Sequence, residues 1–160
     1  MLGEVEQRNV GYTEIQADTL EEVAAFGIEE AREKLYGPAM IEDAGLFIES
    51  LKGFPGVYSA YVFDTIGNEG ILRLMEGVAD RKAVFRSVLG YAEPGMEPII
   101  FKGELEGEIA AEPRGSGGFG YDPIFEIGGK TIAEMDLAEK NRISHRGASI
   151  RALNSWLASR

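Results

Sequence analysis

Two segments toward the C-terminal end gather side chains able to hold a base and a phosphate. They are Gly118-Phe119-Gly120-Tyr121-Asp122-Pro123-Ile124-Phe125 and Glu139-Lys140-Asn141-Arg142-Ile143-Ser144-His145-Arg146-Gly147. An aromatic face stacks on any base. Phe119, in a Gly-rich loop, is badly placed for a core and well placed to stack; it serves equally as a plain loop anchor. Tyr121 stands on the other side of Gly120, and Asp122 is either an acceptor for N–H groups or a cap ahead of Pro123. Ser144, His145 and Arg146 form the sharpest cluster: a hydroxyl, the chain's single imidazole and a planar fork of donors. Lys140, shortly before them, is suited to a phosphate. The plain alternative is a helix start with Ser144 as cap and His145 and Arg146 solvated.

A second candidate is the acidic pair Glu42-Asp43, which follows the apolar run Ala39-Met40-Ile41. Adjacent carboxylates on an extended backbone point to opposite sides. They make a poor bidentate pair but can divide roles, one holding Mg2+ and the other positioning water. The plain alternative is a polar strand end before a turn.

Several chemistries are excluded. The chain has no cysteine and one histidine, which removes disulfides, thiolate nucleophiles and the usual zinc sites. A hard cation held by carboxylates is the metal that remains. No P-loop pattern occurs. Adjacent Ser144 and His145 are poorly arranged for a hydrolase triad, and no nucleophile elbow is present. Gly115-Ser116-Gly117-Gly118-Phe119-Gly120 fits G-x-G-x-x-G, but Tyr121-Asp122-Pro123 cannot comfortably start the helix that a dinucleotide fingerprint requires. It reads as a loop that lets backbone approach a ligand.

The 160 residues predict one domain spanning 1–160. The net charge is -11, which argues against nucleic acid as partner. The charge is uneven: residues 1–50 carry twelve acids and three bases, whereas residues 130–160 carry six bases and three acids. A local basic site in an acidic protein suits a small anion. No apolar run has the length of a membrane span and no secretory signal is visible, so a cytoplasmic protein with no membrane partner is expected.

These groups need elements to position them. Thr19 and Glu22 make a capping-box pattern ahead of a helix running to about Leu35, with Leu20, Val23, Ala24, Ile28, Ala31 and Leu35 on one face. Gly37-Pro38 stops it. Ala39 to Ile41 reads as a short strand ending at Glu42-Asp43, with another element starting at Gly45. Gly53-Phe54-Pro55-Gly56 is a turn, and Glu69 to Met75 a helix. Arg81 to Ala92 is a strand with Ala83, Phe85, Ser87, Leu89 and Tyr91 on one face. Pro98 to Lys102 and Gly107 to Ala111 read as two more strands, and Pro123 to Ile127 as another. Ala148 to Leu157 closes the chain as a helix burying Ile150, Leu153, Trp156 and Leu157. Mixed α/β follows, a twisted sheet flanked by helices.

Six motifs occur in order: Thr13-Glu14-Ile15-Gln16, Ile41-Glu42-Asp43-Ala44-Gly45-Leu46, Gly53-Phe54-Pro55-Gly56-Val57-Tyr58-Ser59-Ala60, Gly117 to Phe125, Ala133-Glu134-Met135, and Glu139-Lys140-Asn141 with Ser144-His145-Arg146. On these the chain resembles the inosine triphosphate pyrophosphatase family, also called XTP/dITP diphosphatases, of archaeal type, from about Tyr12 to Trp156. The resemblance implies an α/β fold with an elongated mixed twisted sheet, two lobes with a nucleotide cleft between them, and a homodimer. It implies Mg2+-dependent hydrolysis of ITP, dITP and XTP to the monophosphate and pyrophosphate, clearing damaged nucleotides from the pool. Asp43 matches the catalytic carboxylate, which binds metal or activates water. Glu14 matches a metal-associated glutamate and Glu42 the acid beside the catalytic one. Phe119 matches the base-stacking aromatic, in a substrate loop with Gly120 and Tyr121. Asp122, Lys140, Ser144, His145 and Arg146 match base- or phosphate-contacting positions.

Hypoxanthine and xanthine present O6 as an acceptor where adenine presents a donor. Donors from His145 and Arg146 would then oppose adenine, and such a site discriminates by about 10⁴-fold or more. The chain departs from the family at Ala44, where serine or threonine is usual. It also shows no Asn-x-x-Lys loop before Thr13, so the family's first strand and helix are expected to be missing and phosphate grip weaker. A truncated, catalytically weak purine nucleotide-binding module is the alternative reading.

Overall fold

The computed structural model describes residues 3–9, 11, 13 and 15–160; Glu14 lies outside the described residues. The first helix, α1 (Leu20–Lys34), starts at a capping box: Thr19 Oγ1 accepts from the Glu22 N–H, and the Glu22 carboxylate accepts from the Thr19 N–H. This satisfies two of the orphan donors at a helix start. Strands β1 (Ala39–Ile48), β2 (Lys82–Ala92), β3 (Ile99–Ile109), β4 (Phe125–Ile127) and β5 (Lys130–Thr131) form one sheet in sequence order. Where a mixed sheet is expected, every pairing among the described strands is antiparallel. Helices α2 (Ser59–Thr65) and α3 (Gly67–Leu74) fill the long β1–β2 connection, and α4 (Leu137–Ile143) and α5 (His145–Ala158) follow β5. No helix of the described residues is long and apolar enough to cross a membrane.

The sheet is covered on both faces. On one, Leu20 and Ala24 of α1 pack on Val88, and Ile28 lies over Gly90. On the other, the α5 residue Leu153 packs with Leu89, Tyr91 and Phe101. Farther along that second face lies the largest apolar cluster, in which Phe85, Leu46 and Phe125 meet Ile71 and Met75 from the α3 region. The expected shared face of Ala83, Phe85, Ser87, Leu89 and Tyr91 is present, and all five are buried. In α5, Leu153 is buried but Ile150, expected in the core, is mostly outside it.

Two strand assignments need correction. β1 does not end at Glu42-Asp43; it runs on through Ile48, paired continuously with β2 from Ala39↔Ala92 to Ile48↔Ala83. The acidic pair is tolerated in mid-strand because β1 is at the edge among the described strands and Glu42 finds Ser87 and Arg146 as polar partners over the sheet face. Likewise Pro98–Lys102 and Gly107–Ala111 are not two strands but parts of one, β3. Gly103 and Gly107, which look like breaks, are strand positions whose missing side chains are replaced by neighbours. A Cβ on Gly107 would lie 2.5 Å from Cε1 of Phe125, and one on Gly103 would lie 2.6 Å from the Ser149 nitrogen and 2.8 Å from Cβ of Ala148. The ring and the helix occupy that space.

The approach of α5 to β3 therefore depends on Gly103 having no side chain. Overpacking a site of this kind costs about 1–3 kcal/mol. Gly103→Ala is expected to lower stability by at least that amount in urea unfolding, because the nearest atoms are backbone and cannot rotate away.

Candidate nucleotide site

The base-binding candidates converge around the start of α5. Ser144 is the N-cap, accepting from the Gly147 N–H at 3.0 Å, so the plain reading of Ser144 holds. His145 is not solvated, however. Its ring stacks on Phe85 with centroids 4.9 Å apart and planes 14° from parallel. Its Nδ1 is buried with no hydrogen-bond partner among the described residues. Burial, reinforced by the Arg146 and Lys140 cations, pushes its pKa down to about 4. The imidazole is therefore neutral near pH 7 and carries one N–H.

Phe119 is 63% exposed, which leaves ring surface for a base. Two cations stand over it: Lys140 Nζ is 4.4 Å and Arg146 Cζ 5.3 Å from the ring centroid. Each cation has its own carboxylate. Lys140 pairs with the buried Asp122, and Arg146 donates through Nε to Glu42 Oε1 at 3.1 Å. Asp122 also accepts from the Phe119 N–H at 2.9 Å, fixing the loop that carries the ring. Gly118 stands at φ +70, and a Cβ there would collide with the Asp122 carboxylate, so only glycine fits that turn.

The remaining loop residues serve the scaffold. Tyr121 is buried; its hydroxyl donates to the Ser59 carbonyl at 2.8 Å, and its ring meets Phe63 edge-on. Burial, with Asp64 adding a smaller effect, pushes its pKa up to about 12. The Gly120 carbonyl accepts from Asn68 Nδ2 at 3.1 Å. Sequence reasoning missed Asn68 because nothing local marks a side chain fifty-two positions away as the loop's anchor. It also missed α4, which carries Lys140, although Asp136 and Glu139 form a legible capping box.

Glu42 and Asp43 lie on opposite faces of β1, as alternation requires. Glu42, opposite Leu89, looks toward α5 and accepts from Ser87 Oγ at 2.8 Å as well as from Arg146. Asp43, opposite Val88, belongs to the α1 face, and its Oδ1 accepts from the Ala44 N–H at 2.9 Å. The two carboxylates do not fit as a shared pair of metal ligands: Glu42 is committed to Arg146 and Ser87. Among the described residues no group of three potential ligands gathers for a metal ion. Asp43 lies on the α1 face, apart from the Glu42–Arg146 pair.

Two cavities flank the sheet. One of about 10 Å³ lies beneath the base cluster, lined by Phe85, Leu105, Asp122, Lys140, Ser144 and His145 among others. It is too small to admit a purine base. The other, about 240 Å³, lies on the α1 side and is lined by Asp18, Glu21, Arg86, Lys102 and Glu104 among others. Four of its charges are paired, Lys102 with Glu21 and Arg86 with Glu104.

The depressed His145 pKa has a definite sign. The unfolded chain takes up this proton near the ordinary value of 6.5 and the folded chain only near 4, so stability falls as pH drops through that window. Thermal melts from pH 7 to pH 4 should show wild type losing more stability than His145→Gln, with the two curves parallel above pH 7. Parallel curves throughout would show that the imidazole is not held neutral.

Comparison with known proteins shows which family the chain is similar to. The sequence profile of the Ham1 family matches residues 2–156. A dITP/XTP pyrophosphatase of Methanopyrus kandleri is 56% identical over 155 residues, covering 96% of this chain and 82% of that protein. One of Thermococcus kodakarensis is 56% identical over 156 residues, covering 96% and 84%. Among solved structures, the Staphylococcus aureus Ham1 protein superposes with a TM-score of 0.88 at 35% identity, covering 94% of this chain and 82% of that one. With its profile matched along nearly its whole length and its fold shared at that level of identity, the chain belongs to the Ham1 family.

Proposed function

We propose that this chain hydrolyses non-standard purine nucleoside triphosphates, dITP, XTP and ITP, to the monophosphate and pyrophosphate. The observation that carries this reading is the exposed Phe119 ring flanked by Lys140 and Arg146, each cation held by its own carboxylate. The names of the 56%-identical relatives support the choice of substrate. The base stacks on Phe119, and the Arg146 fork and the neutral His145 face the purine edge that bears O6. Adenine there sets donor against donor, and buried groups left unpaired in this way are strongly selective.

The reaction is attack of water on the α-phosphorus. The new P–O bond forms as the α–β anhydride bond breaks, and pyrophosphate leaves with the bond's electron pair. Asp43 orients the water and takes its proton. Mg2+, with Asp43 as its ligand among the described residues, would neutralise charge developing on the leaving group. The Glu14 carboxylate joins it in this proposal on the resemblance alone. A single domain over 1–160, a cleft between two lobes, a homodimer and a cytoplasmic location complete the reading.

The test is to incubate the chain with dITP, XTP, ITP, ATP and GTP plus Mg2+ and to measure pyrophosphate and orthophosphate separately. Pyrophosphate released selectively from dITP, XTP and ITP is expected. Orthophosphate as the first product, or equal turnover of ATP, would overturn the assignment; tight inosine nucleotide binding without turnover would favour the binding-module alternative. Asp43→Asn should lower kcat by about 10²–10⁴-fold with an unchanged melting temperature. Phe119→Ala should raise KM for dITP by about tenfold, in line with the about 1–3 kcal/mol that base–aromatic stacking contributes.

A further inference from the structure

Four groups form a closed circuit that begins and ends on Arg146. Its Nε donates to Glu42 Oε1 at 3.1 Å, and Ser87 Oγ donates to the same oxygen at 2.8 Å. Ser87 Oγ lies 2.9 Å from Ser149 Oγ, and Ser149 Oγ lies 2.9 Å from the carbonyl of Arg146 itself. The circuit ties β1, β2 and α5 together. Both serines are fully buried, and a buried hydroxyl is costly unless it is bonded.

Counting protons gives the circuit a direction. Two hydroxyl protons serve three oxygen–oxygen contacts, so one contact goes without. The carboxylate is the strongest acceptor and takes the Ser87 proton. Ser149 Oγ donates to the Arg146 carbonyl and lies 2.9 Å from Ser87 Oγ, seating Ser87 against the start of α5 while Ser87 donates to Glu42. Glu42 is thereby fixed from below by a neutral donor and grips Arg146 from the side. The guanidinium is held through Nε only, so among the described residues its two terminal nitrogens have no hydrogen-bond partner. The guanidinium carbon lies 5.3 Å from the Phe119 ring centroid.

We infer that Ser87 and Ser149 are positioning residues for purine selection, acting through Glu42 to hold the Arg146 guanidinium side-on with its terminal nitrogens presented to the base stacked on Phe119. Neither serine touches the substrate. The inference rests on the function proposed above.

The experiment is steady-state kinetics with dITP and dATP on wild type, Ser87→Ala, Arg146→Ala and the double variant, with a thermal melt of each. Ser87→Ala should raise KM for dITP about tenfold and narrow the dITP-over-dATP ratio of kcat/KM about tenfold, with kcat within about threefold, since loss of a charge-assisted hydrogen bond is of that order. In the Arg146→Ala background the same change should have no further effect on KM. An unchanged KM and ratio in Ser87→Ala overturns the inference, as does an equal KM rise in both backgrounds, which a merely structural serine would give. Should Ser87→Ala fail to fold, Ser87→Cys and Ser149→Ala are read by the same criteria. A wild-type chain that neither binds dITP nor cleaves it overturns the function reading and takes this inference with it.

Discussion

The contact on which the site depends is the seating of helix α5 on strand β3 at Gly103. The carbonyl of His145 and the backbone nitrogen of Ser149 occupy the space a side chain would fill there. With the helix start brought so close to the sheet, every other feature of the base cluster falls within reach. His145 stacks on Phe85, Ser149 meets Ser87, and Arg146 meets Glu42 across to the edge strand. The same device recurs four residues on, where Phe125 fills the place of a side chain at Gly107. Bare strand positions let a helix and an aromatic ring approach the backbone, and the approach sets the geometry of the donors.

Charge is distributed to match. The protein as a whole is strongly acidic, yet two cations flank one aromatic ring. Lys140 and Arg146 would repel each other, but Asp122 and Glu42 neutralise them one by one. The carboxylates also aim them, because each is anchored elsewhere: Asp122 by the Phe119 N–H and Glu42 by Ser87. His145, buried beside both cations, adds no third charge. The donors are thus held in place beforehand, and preorganised donors cost little reorganisation when a ligand arrives.

The two faces of β1 keep two tasks apart. Glu42 looks toward the base side and Asp43 away from it. One strand therefore links the groups proposed to select a base with the carboxylate proposed for the chemistry, and a shift of register by one residue would exchange them. Ten consecutive pairings with β2 hold that register.

How much of this was legible in the sequence follows from the range of each interaction. Local rules sufficed for α1, whose Thr19–Glu22 box and apolar face are written within a few residues, and for the inward face of β2. Alternation alone placed Glu42 and Asp43 on opposite sides. The order and type of the motifs pointed to a purine nucleotide, and Phe119 in a glycine-rich loop pointed to stacking. Local rules failed where a neighbour distant in sequence replaced a side chain. Gly103 and Gly107 looked like breaks in β3 because their packing partners lie in α5 and Phe125. The buried state of His145, the scaffold role of Tyr121 and the anchoring by Asn68 were likewise decided by tertiary packing. The sequence by itself determined which chemical groups are present and the periodicity that sorts them to faces, since those are properties of neighbouring residues. Only the tertiary structure decided which groups share a hydrogen bond, because that depends on how closely elements far apart in the chain approach one another.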